Sequence, residues 1–390
     1  MLIRKKVPLF AFFLFHLCYS TNFFVTLRTK LSNMITKLRL RNWKSFKDST
    51  IYIDPLTFLI GTNASGKSNV VDAFSFLHKL FSVNYTLNDA VGSIRGGGDW
   101  IVRRGENSFL LDITVEEKGK ELTFSVEVEK QDIGFVYKSR IIRLPGVGLV
   151  YDDSSPEDMK DGFPIQLFPE SWNIVAEQLR RVFVLNPIPD LMRGYSQKAK
   201  ELKADGSNIA GVIAAMKDEE KKMLEETLTK YIRPLPEKDI QKVEAVTVGL
   251  NHQDAMLYCY EAWNPNQPID ARGMSDGTLR FAAIVVALLT TAPGGLLIVE
   301  EVDNGLHPSR AKELVKVLKE ISLQRHVDVL CTTHNPILID ELGNEMLPFI
   351  SDVKRDAEGN SVIELLENKE NLAKLMASGS VGDIMTRNLL

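Results

Sequence analysis

A glycine-rich segment that ends in a lysine and a serine is the place where residue types and spacing first point to chemistry. Residues 58–69 read Phe-Leu-Ile-Gly-Thr-Asn-Ala-Ser-Gly-Lys-Ser-Asn, an apolar run followed by Gly-x-x-x-x-Gly-Lys-Ser. Glycines in this spacing let successive backbone N–H groups converge on one anion at a helix N-terminus. A lysine ammonium can then reach the β- and γ-phosphates, and a serine hydroxyl can bind Mg²⁺. The segment therefore predicts a site for a nucleoside triphosphate, with ATP and Mg²⁺ as the expected ligands.

Each residue of this segment, 61–68, which we call the phosphate loop, has a role that follows from the mechanism. Lys67 is predicted to be catalytic through its charge, and Ser68 is predicted to be a metal ligand. An ordinary glycine turn is the alternative, but the apolar run before the loop and the helical spacing of 70–81 after it favour the phosphate site. The predicted nucleotide-binding residues here are Gly61, Asn63, Ala64, Ser65, Gly66, Lys67, Ser68 and Asn69.

Two adjacent carboxylates follow a short apolar strand in the second half of the chain. Leu296–Val299 is wholly apolar, as is typical of a strand in the middle of a parallel sheet, and Glu300 and Glu301 come next. Ligands gather at the carboxyl ends of such strands. Glu300 is predicted to hold Mg²⁺ directly or through water, and Glu301 to orient and deprotonate the attacking water. The next apolar strand, 327–333, ends at His334, which is predicted to sense or hold the γ-phosphate.

A third segment, Met-Ser-Asp-Gly-Thr-Leu-Arg at 274–280, opens a long apolar helix. Ser275 and Gly277 suit a helix start that offers a hydroxyl and N–H groups to an anion. Taken alone, the pattern fits an ordinary helix cap equally well.

The order of these motifs, with Leu-His-Pro at 306–308, resembles the ABC-class ATPase heads of the RecF, SMC and OLD group, and most of all their compact bacterial AAA-type members. The resemblance covers about residues 34–390. It implies an α/β P-loop NTPase fold, an ABC-type head with a mixed central sheet, an antiparallel side sheet and a helical insertion. It also implies that Ser275–Thr278 is the signature motif, acting on the ATP of a partner subunit, so that a homodimer holds ATP between its heads. His334 would be the switch histidine.

The chain departs from the group in several ways. Glu300 stands where many relatives have aspartate, and His307 stands where SMC heads have an aspartate. No Q-loop glutamine can be placed, the insertion is far shorter than an SMC arm, and no Toprim-like nuclease domain is expected after the histidine strand. Metal preference and communication across the dimer are therefore the properties these departures put in doubt.

The remaining pattern divides the chain into four parts. Residues 1–33 carry Arg-Lys-Lys and a short apolar run like those of a signal peptide, and we predict an over-extended start, with a membrane anchor as the second interpretation. Residues 34–150 are predicted to be the first lobe, whose alternating segments 109–115, 121–129 and 135–142 would form the side sheet. Residues 151–236 are predicted to be the helical insertion, with helices over 172–183 and 207–231, and residues 237–390 to be the second lobe.

Composition narrows the class of partner. The 390-residue chain has a net charge of −4, so attraction to nucleic acid would have to come from local patches. Three cysteines without a CxxC pair (18, 259 and 331) indicate reduced thiols, and we expect a cytoplasmic protein without a membrane partner. The candidate basic patches are Lys37, Arg39, Arg41, Lys44, Arg193, Lys198, Lys200 and Lys203. Lys44 comes shortly before the phosphate loop, so it is also a candidate to approach the nucleotide.

These observations favour an enzyme that hydrolyses ATP and couples the reaction to DNA or to a separately encoded effector such as a nuclease. A nucleotide-gated scaffold with negligible turnover is one alternative, although Glu301 argues against it. An ABC transporter ATPase is another, although the interval between Lys67 and Ser275 is long for that class. Anti-phage defence and DNA repair both remain open as the biological output.

Overall fold

The computed structural model describes residues 34–83, 85–144, 148–152, 170–235, 240–249, 251–377, 379–387 and 389. The predictions for residues 1–33 lie outside the described residues. The strands are β1 (Met34–Trp43), β2 (Phe46–Tyr52), β3 (Leu56–Ile60), β4 (Ser108–Glu117), β5 (Lys120–Lys130), β6 (Phe135–Leu144), β7 (Gly148–Asp152), β8 (Val182–Leu185), β9 (Ser196–Gln197), β10 (Ile240–Val248), β11 (Asp254–Glu261), β12 (Asn264–Asp270), β13 (Leu296–Val299), β14 (Asp328–Thr332), β15 (Ile350–Arg355) and β16 (Ser361–Leu365).

The helices lie between these strands along the chain and follow the last of them. They are α1 (Lys67–Leu80), α2 (Leu87–Gly92), α3 (Gly97–Trp100), α4 (Glu170–Arg180), α5 (Pro189–Met192), α6 (Ile209–Ala215), α7 (Asp218–Ile232), α8 (Asp276–Thr290), α9 (Ala311–Arg325), α10 (Pro336–Leu342), α11 (Leu372–Met376) and α12 (Val381–Thr386). Among the described residues, no helix combines the length and the apolar character needed to cross a membrane.

One large mixed sheet organises the fold. Its described strands run in the order β7-β6-β5-β4-β1-β2-β16-β15-β3-β14-β13-β8. The half from β15 to β8 is parallel, with Thr332 of β14 opposite Leu59 of β3 and Val299 of β13 opposite Cys331 of β14. Because the strands are parallel and in register, the residues that follow β3, β13 and β14 meet at one edge of the sheet.

The fold class predicted from the sequence is confirmed, but the membership of the two sheets differs from the prediction. The alternating strands β4, β5 and β6 are not a separate side sheet; they join the large sheet because β4 pairs with β1 over Met34–Arg41. A small antiparallel sheet does exist, and it consists of β10, β11 and β12 with β9 paired to β11. Alternation predicted the strands correctly and could not say which sheet they would join.

Two predicted helices also end or divide where they were expected to continue. The helix over 172–183 ends at Arg180, and Val182–Leu185 forms β8, which pairs in parallel with β13. β-branched Val182 and Val184 suit that edge position. The helix over 207–231 is two helices, because the extended conformation of Met216 and Lys217 ends α6 and begins α7.

The first turn of α1 is held against β1 by an aromatic cluster in the core of the first lobe. Trp43 is fully buried, and its ring lies 5.6 Å from that of Phe76 and 5.0 Å from that of Phe109. The indole Nε1 also donates a hydrogen bond of 2.7 Å to the carbonyl of Asn69. This contact attaches the end of the phosphate loop to the sheet.

Trp43→Ala should lower the free energy of unfolding by about 3–5 kcal/mol, because it opens a cavity and removes the partner of the Asn69 carbonyl. Urea denaturation would measure the change. Trp263→Ala is the matched control, since that side chain is 83% exposed and should change stability by less than about 0.5 kcal/mol. Equal midpoints for the two variants would contradict this account of the core.

Candidate active site

The phosphate loop has the conformation that its two glycines allow, and a hairpin lies directly against it. Gly61 has a φ of 140° and Gly66 a φ of 125°. A Cβ at Gly61 would lie 2.2 Å from the carbonyl oxygen of Val353, and a Cβ at Gly66 would lie 2.4 Å from Oγ of Ser361. Both glycines are therefore required by close packing against β15 and β16 as well as by backbone conformation.

Side chains of the same hairpin fix the carbonyl groups of the loop. Ser361 Oγ donates a hydrogen bond of 2.5 Å to the carbonyl of Ser65. Arg355 donates from Nε and Nη2 to the carbonyl of Ala64, at 3.2 and 3.0 Å. With these carbonyls held by the hairpin, the shape of the loop is set before any ligand binds.

Lys67, the first residue of α1, is folded back over this loop. Its Nζ donates to the carbonyl of Gly61 at 2.7 Å and to that of Thr62 at 2.9 Å. Burial lowers the pKa of the ammonium, and nearby carboxylates, Glu301 first among them, partly oppose that shift. A phosphate anion in the loop would supply the counter-charge that neutral carbonyls cannot.

Ser68 and Glu300, the two predicted metal ligands, are in direct contact. Glu300 follows β13, its side chain is buried, and it accepts a hydrogen bond from the Ser68 hydroxyl. A hydroxyl and a carboxylate oxygen are donors that Mg²⁺ uses when substrate phosphates and water complete its coordination. The pair therefore fits the expected metal, which would screen the charge of the phosphates.

Sequence reasoning missed Arg95, which joins this pair to the rest of the site. Its Nη1 lies 3.0 Å from the Glu300 carboxylate, its Nε lies 3.0 Å from that of Asp72, and its Nη2 donates to the carbonyl of Ser68. From sequence alone, the Arg-Gly-Gly-Gly segment at 95–98 is typical of a turn. An arginine directly before three glycines, whose turn can direct it at an anion, was the available signal.

Lys44 completes the charge network on the other side of Asp72. Its Nζ lies 2.6 Å from Oδ2 of Asp72 and donates to the carbonyl of Arg95 at 2.7 Å, and its side chain is only 7% exposed. Lys44 also lines the same cavity as Ser68. It therefore lies at the nucleotide site, one of the two roles open to it from sequence, and is too buried to belong to a surface basic patch.

Glu301 and His334 lie at the carboxyl ends of neighbouring strands, as predicted. Glu301 is exposed, has a φ of 47°, and donates its backbone N–H to Oγ1 of Thr332 at 2.8 Å. Its carboxylate accepts a hydrogen bond from Asn304 at 3.1 Å. His334 follows β14 and is exposed at the same edge. The left-handed backbone at Glu301 turns the chain sharply after β13 and separates the directions of the two adjacent carboxylates.

The signature segment has the expected helix start but lies in a different cavity. Ser275 caps α8 by accepting a hydrogen bond of 3.2 Å from the N–H of Thr278. With Gly277 and His307 it lines a cavity of about 600 Å³, whose lining includes no residue of the phosphate loop. The structure thus groups the phosphate loop with Glu300, Glu301 and His334 and leaves Ser275 and Gly277 apart.

Arg193, predicted as part of a basic patch, is instead used to hold this signature segment. Its Nη1 donates to the carbonyls of Ala271 at 3.1 Å and Met274 at 2.6 Å, and its guanidinium contacts the carboxylate of Asp276. The insertion and the start of α8 are therefore joined by one side chain.

The comparisons with known proteins agree with this arrangement. Residues 34–144 match a family described as AAA ATPase domain, and residues 172–340 match one described as AAA domain, putative AbiEii toxin, Type IV TA system. Two separate parts of the chain are thus similar to AAA-type ATPase domains. The motifs that the site brings together fall within the two matched regions, apart from the hairpin of β15 and β16.

Two curated proteins are similar to parts of this chain. A DNA double-strand break repair Rad50 ATPase from Thermoplasma volcanium is 34% identical over 103 residues, which is 25% of this chain and 11% of the relative. The DNA replication and repair protein RecF of Corynebacterium jeikeium is 31% identical over 90 residues, which is 23% of this chain and 19% of the relative. The chain thus matches less than a fifth of the length of either.

Solved structures of SMC heads share the fold of this chain. An Smc head bound to the C-winged helix domain of ScpA matches with a TM-score of 0.54 at 15% identity, covering 85% of this chain and 97% of the other. An Smc head with an extended coiled coil, bound to a ScpA domain derived from Pyrococcus furiosus, matches with a TM-score of 0.51 at 15% identity, covering 89% and 99%.

The lowered pKa of Lys67 gives a prediction for nucleotide affinity as a function of pH. The ammonium form of Lys67 binds phosphate. The affinity for ATP should therefore be highest at pH values below the pKa of Lys67 and should be lost as the pH rises through that pKa. Above that pKa the dissociation constant should rise about tenfold per pH unit, and the loss should begin below the pKa of an ordinary lysine, about 10.4. Titration with ATP between pH 7.5 and 10 would measure it.

Lys67→Arg is the control for this measurement, because a guanidinium keeps its charge over the whole range. Its affinity for ATP should be weaker but flat with pH. Parallel profiles for wild type and Lys67→Arg would show that another group titrates.

Proposed function

We propose that this ATPase binds two ATP molecules between two copies of the chain and couples their hydrolysis to a DNA transaction. The observation that carries the proposal is the separation of Ser275 and Gly277 from the phosphate loop of the same chain. A helix start can serve a phosphate only if that phosphate reaches it. A second chain, placed with its signature segment over the phosphate loop of the first, brings that helix start to the phosphate while the two segments of each chain stay apart.

Within each site, the residues of the phosphate loop bind and orient the triphosphate. Lys67 moves its ammonium from the loop carbonyls to the phosphate oxygens, and Ser68 with Glu300 holds the metal. Arg95 balances the Glu300 carboxylate and provides a second cation at the same edge. Placing fixed positive groups where charge develops is the main means of catalysis in phosphoryl transfer.

Glu301 and His334 act on the remaining reactants. Glu301 is exposed at the edge of the sheet, so its carboxylate is available to orient a water and accept its proton. His334 contacts the γ-phosphate and reports its loss to the segment after β14. Asn304, which donates to Glu301, holds the carboxylate in place.

Glu301→Gln should keep ATP affinity and lower the rate of hydrolysis about 10²–10⁴-fold, because the amide cannot accept the proton of the attacking water. Single-turnover release of phosphate from bound ATP would measure it. Glu341→Gln, an exposed glutamate of α10, is the matched control and should hydrolyse ATP at the wild-type rate. Unchanged turnover in Glu301→Gln would remove this residue from the mechanism and favour a scaffold role.

Ser275→Arg should give a chain that binds ATP at its own phosphate loop, stays monomeric and does not hydrolyse ATP, because the added side chain fills the seam between subunits. Light scattering with ATP and a turnover assay would test both properties.

Mixing experiments sharpen this test. Lys67→Ala and Ser275→Arg chains should each be inactive, but a mixed dimer has one site built from an intact phosphate loop and an intact signature segment. In that dimer the new arginine lies only at the site already disabled by Lys67→Ala. Activity of the mixture that does not exceed the sum of the separate samples would refute the composite site.

DNA is the proposed target because both curated relatives are named as DNA repair proteins. Of the predicted basic residues, Arg39 is paired with Asp48 at 2.6 Å, and Lys44 and Arg193 are used internally. The exposed lysines of the insertion, at positions 198, 200 and 203, remain as candidates for contact with phosphate groups. The family named for an AbiEii toxin favours a second candidate output, the control of an effector in defence.

Replacing Lys198, Lys200 and Lys203 with alanine should weaken ATP-dependent binding to duplex DNA. The slope of log K against log salt should become shallower by about 0.9 for each lysine that binds a DNA phosphate in the wild type. Fluorescence anisotropy over a series of salt concentrations would measure it. Replacing the exposed Lys118, Lys120 and Lys222 removes the same charge and should have little effect. Absence of DNA binding by the wild type at low salt with ATP would favour effector control instead.

A further inference from the structure

A cavity of about 820 Å³ opens beside the first turn of α1, and the phosphate chemistry does not account for all of it. Its lining includes Ser68 of the phosphate loop and the neighbouring Asn69. It also includes Trp100, an aromatic side chain that is 54% exposed. Ligand pockets for small molecules have volumes of about 300–1,000 Å³. The cavity therefore has room for more than the phosphates.

The wall that carries Trp100 is fixed to the site by short contacts. Trp100 packs over Gly96, where a Cβ would lie 2.9 Å from the Cβ of Trp100. Gly96 follows Arg95, whose guanidinium is held by Glu300 and Asp72. The position of the indole is thus set by the same segment that contacts the Glu300 carboxylate.

Two further contacts hold the remaining walls. Arg103 donates from Nε and Nη2 to Oδ1 of the buried Asn360, at 3.0 and 2.8 Å, which ties the segment after Trp100 to the hairpin of β15 and β16. Lys44 donates its backbone N–H to the carbonyl of Ile101 at 2.9 Å, which ties the same segment to the end of β1. The segment that carries the Trp100 ring is therefore held by contacts with both of its neighbours.

Arg104 lies over the Trp100 ring, with its guanidinium carbon 4.8 Å from the ring centroid. A planar cation beside an exposed indole makes a surface suited to the flat, electron-rich face of a nucleobase. When a triphosphate lies in the phosphate loop with its hydrolysed end toward Glu300 and Glu301, its other end carries the nucleoside. The cavity adjoins the phosphate loop at Ser68, continues past Asn69 and includes Trp100 and Arg104 in its lining, so it offers space to the nucleoside.

We propose that Trp100 and Arg104 form a base subsite, in which the nucleobase of the bound triphosphate stacks on the exposed part of the indole. This inference rests on the proposed function, because it assigns the second half of the same ligand. The subsite would give the ATPase its preference for a nucleotide over free polyphosphate. It would also favour purines over pyrimidines, since the larger ring stacks over more area.

The test compares ATP with inorganic tripolyphosphate, each with Mg²⁺, on the full chain. Trp100→Ala should bind ATP about 10- to 100-fold more weakly than wild type, the range expected for loss of one base stack, and should bind tripolyphosphate unchanged. Trp100→Phe, which keeps an aromatic face, should retain most of the ATP affinity. Trp263→Ala, which removes an exposed tryptophan elsewhere, should match wild type with both ligands.

Tryptophan fluorescence provides a second measurement that does not depend on affinity. ATP should quench the wild type more than tripolyphosphate does, and Trp100→Phe should lose that difference, because Trp43 and Trp172 are buried in the core.

The outcomes separate this proposal from the function on which it rests. Binding of neither ligand by wild type would refute the nucleotide site itself. Equal affinity of wild type and Trp100→Ala for ATP would overturn the base subsite alone, as would equal weakening of ATP and tripolyphosphate. A Trp100→Ala chain that keeps ATP affinity and loses single-stranded DNA would reassign the ring to a nucleic-acid base.

Discussion

The buried carboxylate of Glu300 is the constraint on which the site depends. A charge removed from water is costly unless it is paired and hydrogen-bonded, and Glu300 receives both a hydroxyl, from Ser68, and a guanidinium, from Arg95. The Arg95 guanidinium also pairs with one carboxylate oxygen of Asp72, and the other oxygen of Asp72 pairs with the ammonium of Lys44. The network joins the end of β1, the phosphate-loop helix, the glycine segment and the end of β13. The geometry of the nucleotide site is therefore determined largely by the neutralisation of one acid.

Sequence patterns were sufficient for the parts of the site that lie next to regular elements. The phosphate loop, the acidic pair and His334 each follow an apolar strand, and parallel pairing brings such strand ends together as a rule of the fold. Arg95 was missed because its role depends on contact with Glu300, 205 positions away, and on a turn whose direction the sequence does not give. Lys44 was left between two roles for the same reason, since only the position of Asp72 decides where its ammonium lies.

The errors in the fold have a common physical cause. Val182–Leu185 continues the apolar spacing of the preceding helix, and it becomes a strand because β13 offers it a parallel edge. The strands β4–β6 alternate correctly, yet they extend the main sheet because β1 presents a second pairing edge. In both cases the local residues allow more than one secondary structure or sheet, and pairing with a strand distant in sequence selects one of them.

The order of strands in the large sheet has a consequence for the synthesis of the protein. β15 and β16, from the last part of the chain, lie between β2 and β3, from the first part, and they carry the groups that press on Gly61 and Gly66. After the phosphate loop, a ribosome must therefore add about 300 further residues before the surface that shapes the nucleotide pocket exists. Until then the lysine and the glycines are present in the nascent chain without the wall that holds them in place. Competence to bind nucleotide arises late, so partly made chains would not compete with finished protein for the cell's ATP.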